Sequence, residues 1–138
     1  MFSRMPHTEP VVFVVDDDVS VRESLELLLR SVGLHTRVFG SAEAFLACPK
    51  TDVPCCVVLD VSLPDVSGLD LQQRIASERF RVPTIFISGH DDIPLMIQAM
   101  KAGAVEFLVK PFDDEKLLDA VRHALDQSRA ALDDAAKP

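Results

Sequence analysis

Val11-Val12-Phe13-Val14-Val15-Asp16-Asp17-Asp18-Val19-Ser20-Val21-Arg22-Glu23 holds the decisive reading. Five apolar residues, β-branched or aromatic, match a buried strand in length and composition. Three aspartates follow, and then a helix start. Ser20 is expected to be the N-cap and Glu23 its capping-box partner. Behind them Val21, Leu25, Leu28, Leu29 and Val32 recur at helical spacing, with Gly33 at the C′ position. This is a β-α unit with acidic residues at the carboxyl end of the strand.

The unit repeats along the chain. Strand-length apolar runs recur at Thr36–Phe39, Cys55–Leu59, Thr84–Ile87 and Val105–Val109, separated by helical patterns. Ser41 opens a second helix and Ser67-Gly68-Leu69-Asp70 a third. Asp91 or Asp92 caps a fourth, with Pro94 in its first turn, Ile93, Ile97 and Met100 facing inward, and Gly103 at its end. Asp113 caps a fifth, with Leu117, Leu118, Val121 and Leu125 as its buried stripe. This alternation predicts an α/β fold, a doubly wound five-stranded parallel sheet. Strands 1, 3, 4 and 5 are almost wholly apolar, as central strands are. His35-Thr36-Arg37-Val38-Phe39 alternates and reads as an edge, which fits the strand order 2-1-3-4-5. The expected organisation is a disordered leader over residues 1–9, one domain over 10–128, and a C-terminal tail or linker start over 129–138; the polar, Ala-rich stretch after Leu125 reads as a fraying helix or the start of that linker.

Composition narrows the functional classes. The 138 residues carry a formal charge of -8, so no basic footprint for nucleic acid is present. No run reaches the length of a membrane span, and no signal peptide is evident. A soluble, cytoplasmic protein is expected. Cys48, Cys55 and Cys56 form no metal-binding spacing and read as small buried hydrophobes.

In open α/β sheets, ligands bind beyond the carboxyl ends of the strands, where strand order reverses. Strand 1 delivers Asp16, Asp17 and Asp18 there, and strand 3 delivers Asp60. Two carboxylates about 4 Å apart repel by about 4 kcal/mol at an effective dielectric of about 20. A cation relieves this, and an all-oxygen site with few carboxylates suits Mg²⁺. Strand 5 ends in Lys110-Pro111-Phe112, a cation on the same edge, and strand 4 ends in Ser88-Gly89-His90. The same Asp16-x-Asp18 pattern also fits, superficially, a haloacid-dehalogenase-type phosphatase with Asp16 as nucleophile.

Four motifs in order carry a resemblance: Val14–Asp18, Leu59–Gly68, Ile87–His90 and Val109–Phe112. Together they resemble the receiver domain of bacterial two-component response regulators, with a flavodoxin-like (CheY-like) fold over about residues 10–128. The segments Gly89–Pro94 and Ala102–Phe107 are most similar to the FixJ-like group, whose output domain is of the LuxR type. The resemblance implies that Asp60 is the phosphoacceptor and that Asp16, Asp17, Asp60 and the Ser62 carbonyl bind Mg²⁺. It implies that Lys110 contacts the phosphoryl group, that the Lys110–Pro111 peptide is cis, and that Ser88 and Phe107 form the switch. Ser62 and His90 would tune dephosphorylation. Ser88 stands where threonine is commoner, and Phe107 where tyrosine is commoner. The implied partners are a sensor histidine kinase and, on phosphorylation, a second copy bound through helix 4 and strand 5. The implied domain catalyses only its own phosphorylation and dephosphorylation. It acts either as part of a transcriptional regulator whose DNA-binding domain lies outside this chain, or as a stand-alone receiver.

Overall fold

The computed structural model describes residues 9–49, 52–77, 82–89 and 92–136. Apart from Glu9, the predicted leader lies outside the described residues, as do His90 and Asp91. The elements are β1 (Val11–Val15), α1 (Val19–Ser31), β2 (His35–Phe39), α2 (Ala42–Leu46), β3 (Cys55–Asp60), α3 (Gly68–Ser77), β4 (Thr84–Ser88), α4 (Ile93–Lys101), β5 (Glu106–Val109) and α5 (Asp114–Ala136). The five strands form one sheet in the order β2-β1-β3-β4-β5, every pair parallel.

Strand alternation sorts the core into two layers. Phe13, Val15, Val57, Leu59 and Phe86 project to one face, where α2, α3 and α4 supply Phe45, Leu71, Ile75 and Ala99. Val12, Val14, Cys56, Val58, Ile85 and Ile87 project to the other, against Leu25 and Leu29 of α1 and Leu117, Leu118, Val121 and Leu125 of α5. Crossovers between parallel strands are right-handed. The path from β1 to β2 therefore puts its helix on one face, and the opposite path from β3 onward puts α3 and α4 on the other. The reversal between β1 and β3 leaves a crevice at the carboxyl edge.

Several local expectations change. Asp18, not Ser20, is the N-cap of α1: its Oδ1 accepts from the Ser20 and Val21 N–H groups at 2.8 and 3.3 Å. The helix starts immediately after the acidic turn, which places Ser20 inside its first turn, where it cannot cap. Val32, expected in the buried stripe, lies past the end of α1 and is exposed. In α4 the expected inward residues Ile93, Ile97 and Met100 are 60%, 49% and 41% exposed, and Ala99, Leu95 and Met96 pack on the sheet instead. Both sets have helical spacing, so apolar periodicity alone could not choose between faces. β5 is an edge like β2, apolar because helices cover it. α5 continues past Leu125 to Ala136, and buried Ser128 accepts the Cys55 N–H at 2.9 Å. Gly33 and Gly103 follow α1 and α4 with φ of 85° and 102°, a region that glycine enters without a Cβ clash.

Candidate functional site

The β1–α1 turn is wired so that its acidic side chains have separate tasks. Asp16 is fully buried; its Oδ1 accepts the Asp18 N–H at 2.9 Å and its carbonyl accepts the Arg22 guanidinium at 2.7 Å. Asp18 is spent on the helix cap. Asp17 is exposed, and its carboxylate has no hydrogen-bond partner among the described residues.

Asp60 ends β3 and is 7% exposed. Its Oδ1 accepts the Ser62 N–H at 2.9 Å. The loop beyond closes on itself through a Ser62–Ser67 bridge and a Gly68 N–H to Val61 carbonyl bond of 3.0 Å. A Cβ at Gly68 would stand 2.8 Å from the Val61 Cα and 3.0 Å from the Asp60 carbonyl oxygen, so this loop needs glycine.

β5 brings the cation. Lys110 Nζ lies 3.2 Å from Asp16 Oδ2 and 3.8 Å from Asp60 Oδ2. Its backbone N–H binds the Ser88 carbonyl at 2.7 Å, and the Lys110–Pro111 peptide is cis, as expected. Ser88 is buried at the end of β4, paired in register with Val109. Phe107 is buried behind the edge with its ring 6.2 Å from that of Phe86.

Asp16, Asp17 and Asp60 each present a carboxylate oxygen within 4.8 Å of the others. Burial pushes the Asp60 carboxyl above its ordinary range. The Ser62 N–H opposes that shift, Asp16 adds to it, Lys110 opposes it, and Asp17 adds to it. Three carboxylates thus face one ammonium. Hard oxygen donors in this number fit Mg²⁺, which takes few protein carboxylates and keeps open positions.

Asp16, Asp17, Asp60 and Lys110 are brought together as predicted. Ser62 and Ser88 stand on the same edge, and Phe107 lies beneath it. Three contributors were not singled out from sequence. Arg22 acts from α1 on the Asp16 carbonyl, and the Asp65 carboxylate accepts the Ala42 and Glu43 N–H groups, contacts that no local pattern announces. Gly68 reads as a helix opener, and its close approach to β3 exists only in three dimensions.

Comparison with known proteins agrees with this geometry. Residues 12–122 match the response regulator receiver domain. Nodulation protein W of Bradyrhizobium diazoefficiens is 53% identical over 122 residues, covering 88% of this chain and 54% of that protein. Transcriptional regulatory protein FixJ of Rhizobium meliloti is 39% identical over 93% of this chain and 64% of its own length. Among solved structures, response regulator StyR superposes with a TM-score of 0.84 at 45% identity, covering 89% of this chain and 62% of that one. FixJ-N superposes with a TM-score of 0.77 at 40% identity, covering 86% and 94%. The chain spans between 51% and 64% of the length of curated relatives such as these. By sequence match and by fold, the chain belongs to the receiver domain family of two-component response regulators.

Proposed function

We propose that Asp60 accepts a phosphoryl group from a phosphohistidine of a sensor histidine kinase. The observation that carries this reading is the convergence of Asp16, Asp17, Asp60 and Lys110 on one sheet edge. Receiver domains are signal transducers rather than turnover enzymes. The only chemistry assigned to this one is its own phosphorylation and dephosphorylation.

An Asp60 oxygen attacks phosphorus, and the P–N bond breaks with its electron pair going to the imidazole nitrogen. Such a loose transition state needs alignment and charge compensation more than covalent help. Mg²⁺, held by Asp16, Asp17, Asp60 and the Ser62 carbonyl, would supply charge compensation for the phosphoryl oxygens. Lys110, at the end of β5, supplies a second positive charge beside Asp60. The Ser62 N–H holds Asp60 Oδ1 and leaves Oδ2 toward the pocket. Asp16 is a poor candidate for nucleophile, because Oδ1 and Oδ2 are already engaged by Asp18 and Lys110. The haloacid-dehalogenase reading therefore has no support.

Output follows from packing. Ser88 turns its hydroxyl toward the phosphoryl group, and Phe107 shifts against Phe86 without a phenol to bond. The exposed Ile93, Ile97 and Met100 of α4 then join β5 in an interface with a second copy. In the whole protein this switch controls transcription in the cytoplasm through a separate DNA-binding domain. The receiver itself, with its charge of -8, binds no nucleic acid.

Acetyl phosphate with Mg²⁺ tests the acceptor. The wild-type chain becomes labelled, whereas chelation by EDTA or the substitution Asp60→Asn abolishes labelling. Undiminished labelling of Asp60→Asn would move the acceptor elsewhere.

A further inference from the structure

The two loops that hold the acidic pocket are both tied to a third turn, Gly40–Glu43, which contributes nothing to the pocket itself. From one side, Arg22 reaches out of α1. Its Nη1 donates to the Asp16 carbonyl, and its guanidinium lies over Gly40, where an added Cβ would stand 3.1 Å from that nitrogen. Arg22 has no ion-pair partner among the described residues, so its placement is explained by this seat between β1 and β2. From the other side, Asp65 reaches out of the loop that follows Asp60. Its two carboxylate oxygens accept the Ala42 and Glu43 N–H groups at 3.2 and 2.9 Å. Ser41 completes the α2 cap by accepting the Ala44 N–H at 3.1 Å.

The consequence is mechanical. Asp16 and Asp17 hang on a turn whose carbonyl is held by Arg22. Ser62 belongs to a loop whose far end is held by Asp65. A metal site made of ligands on two loops binds tightly only if both loops are already in place, and groups that orient the ligands set affinity. We infer that Arg22 and Asp65 are positioning residues that brace the Mg²⁺ pocket against the Gly40–Glu43 turn and thereby set its metal affinity. This rests on the reading of Asp16, Asp17 and Asp60 as the Mg²⁺ site.

The test is calorimetric titration of the full chain with Mg²⁺ alone, together with the rate of acetyl phosphate labelling as a function of Mg²⁺. Arg22→Met and Asp65→Ala should each weaken Mg²⁺ binding by about tenfold or more. At saturating Mg²⁺ the labelling rate should return to within about threefold of wild type, a split that a damaged catalytic group would not give. Arg22→Lys and Asp65→Asn, which keep one of the two contacts each, should be intermediate. Gly40→Val, which crowds the guanidinium while leaving every charge in place, should weaken Mg²⁺ binding as Arg22→Met does, and it replaces that variant if Arg22→Met fails to fold. The inference is overturned if any folded member of the set Arg22→Met, Asp65→Ala and Gly40→Val binds Mg²⁺ within about twofold of wild type. If the wild-type chain binds no Mg²⁺, the failure lies in the metal-site reading and not in the brace.

Discussion

Asp60 occupies a place that an ionised carboxylate fills at a cost when no cation accompanies it. Burial and the neighbouring Asp16 and Asp17 raise its pKa, and the Ser62 N–H and Lys110 offset only part of that. In EDTA, Asp60→Asn is therefore expected to melt at a higher temperature than wild type at pH 7. The sign follows from linkage: the folded chain takes up its Asp60 proton at a higher pH than the unfolded chain does. As pH falls through the folded pKa, the ionisation penalty is relieved, and the advantage of the Asp60→Asn variant shrinks. It is gone below the ordinary value of 3.8. Thermal melts of both proteins between about pH 7 and about pH 3.5 check this, and a variant advantage that grows on acidification would refute it. At this scale Asp16, Asp17, Asp60 and Lys110 were legible because each lies at the carboxyl end of an apolar run, within two residues of its last apolar residue. Arg22, Asp65 and Gly68 were not, because their work is done across gaps in sequence.

The acidic turn and α4 show how elements depart from pattern. Ser20 and Glu23 match a capping box, yet Asp18 takes the cap, because the helix begins directly after the turn. Asp18→Ala should lower stability by about 1 kcal/mol, and Ser20→Ala by less than about 0.5 kcal/mol. Urea melts of the two variants distinguish the caps, and the reverse order would restore Ser20. In α4, apolar residues lie on two faces, so helical spacing could not reveal that Ile93, Ile97 and Met100 point outward. That outward face gives the proposed interface an apolar centre. Ile97→Glu should keep the chain monomeric in beryllofluoride and Mg²⁺, where wild type is expected to shift to dimer by light scattering. If the Ile97→Glu variant dimerises as well as wild type, the interface lies elsewhere.

For the whole molecule, the alternation of strand-length and helical patterns predicts a parallel doubly wound sheet, and the one alternating polar strand, placed at an edge beside β1, fits the observed order β2-β1-β3-β4-β5. The second edge, β5, was hidden by its apolar composition. Past Leu125 the chain turns polar, so the pattern leaves a fraying helix and a linker start as alternatives; α5 runs on to Ala136, and buried Ser128 on the Cys55 N–H shows that one face of that helix docks. The sheet order explains why distant motifs form one pocket: β1 and β3 are neighbours that lead in opposite directions, and β4 and β5 follow on the same edge. That convergence on one edge is what supports the proposal of Asp60 as the receiving group. The most direct test is to phosphorylate the chain with acetyl phosphate and Mg²⁺, reduce the acyl phosphate with borohydride, and locate the reduced residue by peptide mass spectrometry. Reduction is expected at Asp60 alone; reduction at Asp16 or Asp17, with Asp60 intact, would contradict the account.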